Sequence, residues 1–185
     1  REIGLERVTA EPFPVTVPVD RGASLTVEGA GEVIPLFGMW PNQVRTPSLP
    51  EKGLAGLLID GGRGEFGDFN GKAVAGSVVL MGFGSGPNAL NARMLGAEAV
   101  IFYDDGNVTF GEASEKFLNV PAHVPRLWVE REGADRLKAL ARQGGARVRV
   151  TARMDWQTLP ATNVYGLLPG LDEEMPLSDR VQSRR

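Results

Sequence analysis

The sequence predicts a β-rich α/β domain whose first half is sandwich-like or an open barrel, on three observations. Glycine and proline, 24 and 13 of the 185 residues, set many turns and oppose a helical bundle. Strand-like segments follow one another up to Asp60 with no helix between them. From Gly71 to Gly106 two apolar runs, Val78 to Phe83 and Ala99 to Tyr103, flank a Gly-rich turn and a short helix-like segment. That is a strand, turn, helix, strand pattern.

Taken in order, Arg1 to Val8 reads as the end of an amphipathic helix running into a strand, with Gly4 as the break. Phe13, Val15, Val17 and Val19 alternate with Pro14, Thr16 and Pro18, and the prolines place this stretch on a sheet edge or in an extended linker. Ser24 to Glu28 and Glu32 to Leu36 are two short strands joined through Gly29-Ala30-Gly31 as a hairpin. Met39 to Gly53 is a Pro-rich loop in which Trp40 serves as a lid over a core edge. Leu54 to Asp60 is a strand that ends in the turn GGRGEFGDFNG. After the central unit comes a loop from Asp104 to His123, then a strand over Pro125 to Val129.

The clearest helix spans Glu130 to Gln143: acidic at its start, basic late, apolar at Ala134, Leu137, Leu140 and Ala141, and stopped by Gly144-Gly145. Ala146 to Met154 alternates, with Val148, Val150, Ala152 and Met154 inward and Arg147, Arg149, Thr151 and Arg153 outward. The arginines suit an edge strand protected by charge, or a grip on an acidic partner. Asn163 to Leu168 is a short strand before a Pro-Gly turn and an acidic loop, the opening of a further unit.

Composition excludes several function classes. A formal net charge of -3 opposes a general nucleic-acid binder. No apolar run is long enough to span a bilayer, and REIGLER has no signal-peptide core. Without cysteine there are no disulfides, thiolate zinc sites or thiol nucleophiles.

Motifs for catalysis are weak. Gly62-Arg63-Gly64-Glu65-Phe66-Gly67 has dinucleotide-fingerprint spacing, but turn chemistry follows it where a helix is needed. Gly82-Phe83-Gly84-Ser85-Gly86 follows a strand and precedes a helix, with Asp104 and Asp105 placed as a ribose-binding acid would be. Pro87 replaces the third glycine and the helix is short, so nucleotide or small-ligand binding at this turn is an alternative only. Ser85 lacks the G-x-S-x-G context, and the sole histidine, His123, cannot build a co-catalytic zinc site. Glu65, Asp68, Asp104, Asp105 and Glu112 are oxygen donors without EF-hand spacing. Asn107-Val108-Thr109 is a formal glycosylation sequon.

The run GRGEFGDFNGKAVAGSVVLMGFGSG, then NALNARMLGAEAVIFYDD, then VPRLWVEREGADRLKAL, is similar in order and text to the protease-associated domain. The similarity covers roughly Ser24 to Asp155. Arg1 to Val8 resembles the text preceding this domain in zinc-dependent aminopeptidases and glutamate-carboxypeptidase-like exopeptidases. Ala161 to Gly170 resembles the strand that opens their peptidase domain.

The resemblance implies a β-sandwich or open barrel flanked by two short helices, Asn88 to Leu95 and Glu130 to Gln143. It implies an N-terminal flank over residues 1–20, the protease-associated domain over 21–156, and the start of an incomplete peptidase domain over 157–185. The implied role is non-catalytic: to cover the active-site cleft of a zinc exopeptidase and contribute to substrate access or protein interaction. No catalytic, cofactor-binding or metal residue is carried over, and zinc is expected in the missing peptidase domain. The implied partners are that peptidase domain and a peptide or protein substrate, in a secreted or periplasmic protein. A second expectation is an interaction module from another host, a subtilisin-like protease or a sorting receptor. Loops on a rigid sheet are where recognition sits, which singles out Arg63, Glu65 and Asp68 in one loop and Asp104, Asp105 and Phe110 in another.

Overall fold

The computed structural model describes residues 5–41, 46–106, 108–109, 111 and 123–168. The chain divides into two compact units, Pro18–Gln157, and Arg1–Val17 with Thr158–Arg185. Among the described residues there are seven strands: β1 Glu6–Val27, β2 Val33–Gly38, β3 Leu54–Asp60, β4 Val78–Gly82, β5 Ala99–Tyr103, β6 Arg126–Val129 and β7 Arg147–Leu167. Two short α-helices with described bounds accompany them, α1 Ala89–Met94 and α2 Arg131–Gln143. Among the described residues the β-rich architecture, with short helices after β4 and β6, is the one the sequence predicts.

The sheet is neither open nor split into a sandwich. Its strand order, β1-β2-β6-β5-β4-β3-β7, closes into a barrel. Within the larger unit the closing strands meet through Glu28 N–H donating to the Arg147 carbonyl at 2.9 Å, and through the Ser24 and Thr151 hydroxyls, also 2.9 Å apart. Ala146 to Met154 is therefore no edge: β7 pairs antiparallel with β3, Val150 opposite Leu54 and Val148 opposite Gly56. Arg147 and Arg149 turn back onto their own chain, both ion-paired with Glu28 at 3.4 and 3.1 Å. The strand expected separately at Asn163 is the continuation of β7. The stretch around Phe13 to Val19 belongs to β1.

The expected hairpin forms, with Ser24 opposite Pro35 and Leu25 opposite Ile34. Gly29 and Gly31 supply its positive φ values of 86° and 67°, which side-chain-bearing residues adopt at a cost. β3, β4, β5 and β6 run parallel to one another. Parallel strands are buried on both faces, which is why β4 and β5 read as unbroken apolar runs.

Alternation then sorts their side chains. Val78, Leu80, Ala99, Ile101, Leu127 and Val129 join the core with Leu137 and Leu140 of α2 and Val148 and Val150 of β7. Val79, Met81, Val100, Phe102 and Trp128 point the other way, into a second core with Ala89 and Ala92 of α1. Gly144 and Gly145, at φ 75° and 72°, end α2 as expected. Trp40 is half-buried, and its carbonyl accepts a hydrogen bond from the Arg126 guanidinium at 2.8 Å. The helix end expected at Arg1 to Gly4, the residues Asn107, Phe110 and Glu112, and the acidic loop after Leu168 lie outside the described residues.

Candidate functional site

Where parallel strands end together, their following loops converge at the carboxyl edge of the sheet, the usual address of ligands in α/β sheets. Here those loops begin at Asp60, Gly82, Tyr103 and Val129. The turn after β3 is locked by Asp68, whose Oδ2 accepts the backbone N–H groups of Arg63 and Glu65, both at 3.0 Å. It is tied to the next turn by Gly82 N–H donating to the Gly62 carbonyl at 2.9 Å and by the Arg63 guanidinium reaching the Gly84 carbonyl at 3.4 Å. Asp105 completes the rim, accepting the Gly84 N–H at 2.8 Å. Asp104 folds its own loop by accepting from Gly106 and Val108, each at 2.9 Å.

The structure thus brings five of the six sequence-selected residues onto one rim, in two roles. Asp68, Asp104 and Asp105 are turned onto backbone amides, while Arg63 and Glu65 are exposed. Phe110 lies outside the described residues. Beside the rim is a polar cavity of about 430 Å³ lined by Asp104, Asp105, Arg131, Asp135 and Lys138. Arg131 lies 3.7 Å from Asp104, and Lys138 Nζ sits 3.7 Å above the Tyr103 ring. Burial raises the Tyr103 hydroxyl above the usual tyrosine pKa, and the charges of Asp60 and Asp105 add to the rise. Deeper in, burial lowers the Arg126 guanidinium to about 10, so it remains a cation at neutral pH.

No family model and no curated protein matches this sequence. Solved structures do match in fold. An aminopeptidase from Aneurinibacillus sp. strain AM-1 is 22% identical with a TM-score of 0.52, over 85% of this chain and 37% of its own. A zinc aminopeptidase from Bacillus subtilis is 21% identical with a TM-score of 0.56, over 88% of this chain and 36% of its own. An M28 peptidase precursor from Shewanella amazonensis SB2B is 16% identical with a TM-score of 0.58, over 87% of this chain and 41% of its own. The likeness is one of fold. This chain spans well under half the length of each of these peptidases, and matches a partial region of them.

Within that fold both Gly-rich turns have structural reasons for their glycines. A Cβ on Gly82 would lie 2.8 Å from Asp105 Cγ, one on Gly62 2.9 Å from Asp68 Cγ, and one on Gly64 2.8 Å from the Asn88 carbonyl oxygen. Each glycine makes room for a carboxylate or a neighbouring turn of the same chain. The Gly84 amide, which a phosphate would need, is already given to Asp105. The segment before α1 is a 3-10 turn containing Pro87, with Gly86 outside helical geometry at φ 54°. His123 is exposed, and the described residues hold no group of three or more His, Cys, Asp or Glu arranged for a metal.

Sequence reasoning missed a second concavity of about 490 Å³ between β2 and the start of α2. It has Val33, Pro35 and Phe37 on its floor and Glu130, Glu132 and Arg136 on its wall. Its rim is a bidentate pair in which Arg136 Nε and Nη2 donate to Glu32 at 2.7 to 3.0 Å. The two partners are 104 residues apart, and only the charged face of α2 was visible beforehand. That pairing lowers the Glu32 carboxyl pKa and raises that of Arg136.

Proposed function

We propose that this chain is a non-catalytic protease-associated domain of a zinc exopeptidase, with residues 21–156 as the domain and residues 1–20 and 157–185 as flanks belonging with the peptidase domain. It covers the active-site cleft from one side and contributes to substrate access, with the rim around Arg63, Glu65 and Asp105 as the recognition face. The peptidase domain of the same parent chain and a peptide or protein substrate are its partners, and the zinc ligands reside in that peptidase domain. The parent protein acts outside the cytoplasm, secreted or periplasmic. Among the described residues no helix is long and apolar enough to cross a membrane.

The observation that carries this reading is the partial match: 85 to 88% of this chain aligns with only 36 to 41% of chains whose titles name aminopeptidases or an M28 peptidase. The order of protease-associated text along Ser24 to Asp155 supports it independently. The test is hydrolysis of aminoacyl p-nitroanilides by the purified 185-residue chain, with and without added zinc. The expected result is no release of nitroaniline above buffer, and turnover that survives successive purification steps and is abolished by a chelator overturns the proposal.

A further inference from the structure

One edge of β2 runs on past its neighbour. β2 lies between β1 and β6, and β6 pairs with it at Phe37 and Gly38 before ending at Val129. Beyond that point the chain turns into α2, while β1 goes on pairing with β2 as far as Val33. The hydrogen bonds fix which way the backbone groups of β2 are directed. Val27 N–H donates to the Glu32 carbonyl at 2.8 Å, so Glu32, Ile34 and Leu36 turn theirs toward β1. Met39 N–H donates to the Arg126 carbonyl at 3.2 Å on the opposite side, so Phe37, Pro35 and Val33 turn theirs toward the line of β6. Among the described residues no strand pairs there with Val33 or Pro35. The edge therefore offers one N–H and two carbonyls, since proline has no N–H.

The concavity of about 490 Å³ between β2 and α2 lies along this edge and is lined wholly by residues of the larger unit. Two contacts set its width. Gly133 lets α2 sit close, because a Cβ there would lie 2.7 Å from Val129 Cγ2 and 2.8 Å from Ile34 Cγ2. Arg136 clamps the helix to Glu32. A groove formed in advance spares a ligand the cost of ordering it. Val33, 59% exposed, and Pro35 give it apolar surface. Its charge is one-sided. Arg136 and Glu32 neutralise each other, and Arg131 is ion-paired with Asp104. Glu130 and Glu132 are exposed, and neither carboxylate has an ion-pair or hydrogen-bond partner among the described residues. Glu130 is the N-cap of α2, yet its side chain caps no amide. The helix dipole, roughly half a positive charge at this end, offsets only part of two carboxylates.

We infer that this groove binds an extended peptide segment carrying both apolar and basic side chains, which adds as a short strand to the Val33–Pro35 edge with its cations against Glu130 and Glu132. In strand addition the main-chain bonds supply affinity and the side chains supply selectivity. Pro35 keeps the addition short, because an edge interrupted by proline does not propagate a sheet. The surface is distinct from the rim around Arg63, Glu65 and Asp105, and the inference does not depend on the function proposed above.

The test is titration of the 185-residue chain with the acetylated, amidated peptide VKKVVKKV, each face of which presents both valine and lysine when extended. Binding is followed by NMR together with amide hydrogen exchange. The expected result is saturable binding that slows exchange of the Val33 amide at least tenfold and leaves that of Gly71, on the turn before β4, unchanged. The peptide VEEVVEEV is expected to bind at least tenfold more weakly. Glu130→Gln with Glu132→Gln is expected to weaken VKKVVKKV at least tenfold, with urea unfolding showing that the variant is folded. No binding at peptide concentrations up to about 1 mM overturns the inference. Binding without protection of Val33 overturns strand addition, and equal affinity for the two peptides, measured on the unaltered chain, overturns the role of the carboxylates.

Discussion

Gly82→Ala tests the reason for the Gly-rich turn after β4. Gly82 has φ -64° and ψ 139°, a conformation any residue adopts, so backbone strain is not the issue. The new methyl group meets the Asp105 carboxylate, whose Cγ lies 2.8 Å from the ideal Cβ position. Asp105 is exposed and swings away, giving up its bond from Gly84 N–H. A hydrogen bond to a charged group contributes ~1.5–3 kcal/mol, and the exposure of Asp105 puts this one at about 1–2 kcal/mol. Asp105→Ala loses the same bond and costs the same.

In the double variant the methyl group meets only the Cβ of residue 105, 3.2 Å away, which a shift of a few tenths of an ångström relieves, so the loss stays near that of Asp105→Ala alone. The coupling is then about 1–2 kcal/mol, well beyond the ~0.3–0.5 kcal/mol scatter of independent sites. Urea unfolding of the four proteins measures the cycle, and each single variant melts about 2–8 °C lower at the ~2–4 °C per kcal/mol usual for this size. Additive losses would refute the reasoning. They would mean that the glycine serves something other than the carboxylate seated on it.

Leu137 of α2 is fully buried between the helix and the barrel. Leu137→Ala is expected to cost ~2–5 kcal/mol in urea unfolding; a loss below about 1 kcal/mol would show that α2 does not seal this core. Tyr103 binds its proton more tightly in the fold than its ordinary value of 10.0 allows. Its contribution to stability is therefore complete below pH 10 and lost as pH rises through the higher folded value. In a Tyr165→Phe background, tyrosinate absorbance reports Tyr103 alone, since the chain has two tyrosines; a midpoint at or below 10 contradicts the burial seen here.

Much of the local structure was legible because it is written in short-range patterns. β3 and β5 have the bounds read from their apolar runs, and α2 begins one residue after the expected start. The candidate rim was legible for a different reason than first supposed. An acid about twenty residues beyond a Gly-rich turn resembles a ribose ligand, yet in the fold it caps that very turn, because both end adjacent parallel strands. Spacing along the chain located the acid, and the fold seats that acid on the turn's own amide. The groove under Glu32 and Arg136 left no local trace, since each side chain is an ordinary surface charge until β2 and α2 meet.

The sequence by itself determined the elements: where strands and helices lie, which faces are apolar, and that neither disulfides nor thiolate chemistry are available. Those follow from backbone sterics and from hydrophobic period, which act within a few residues. Only the tertiary structure decided that the sheet closes, that Ala146 to Met154 is interior to it, and that the Gly-rich turns are occupied by the chain's own carboxylates. Each depends on pairings between segments tens of residues apart, whose register is set by packing that no local window contains.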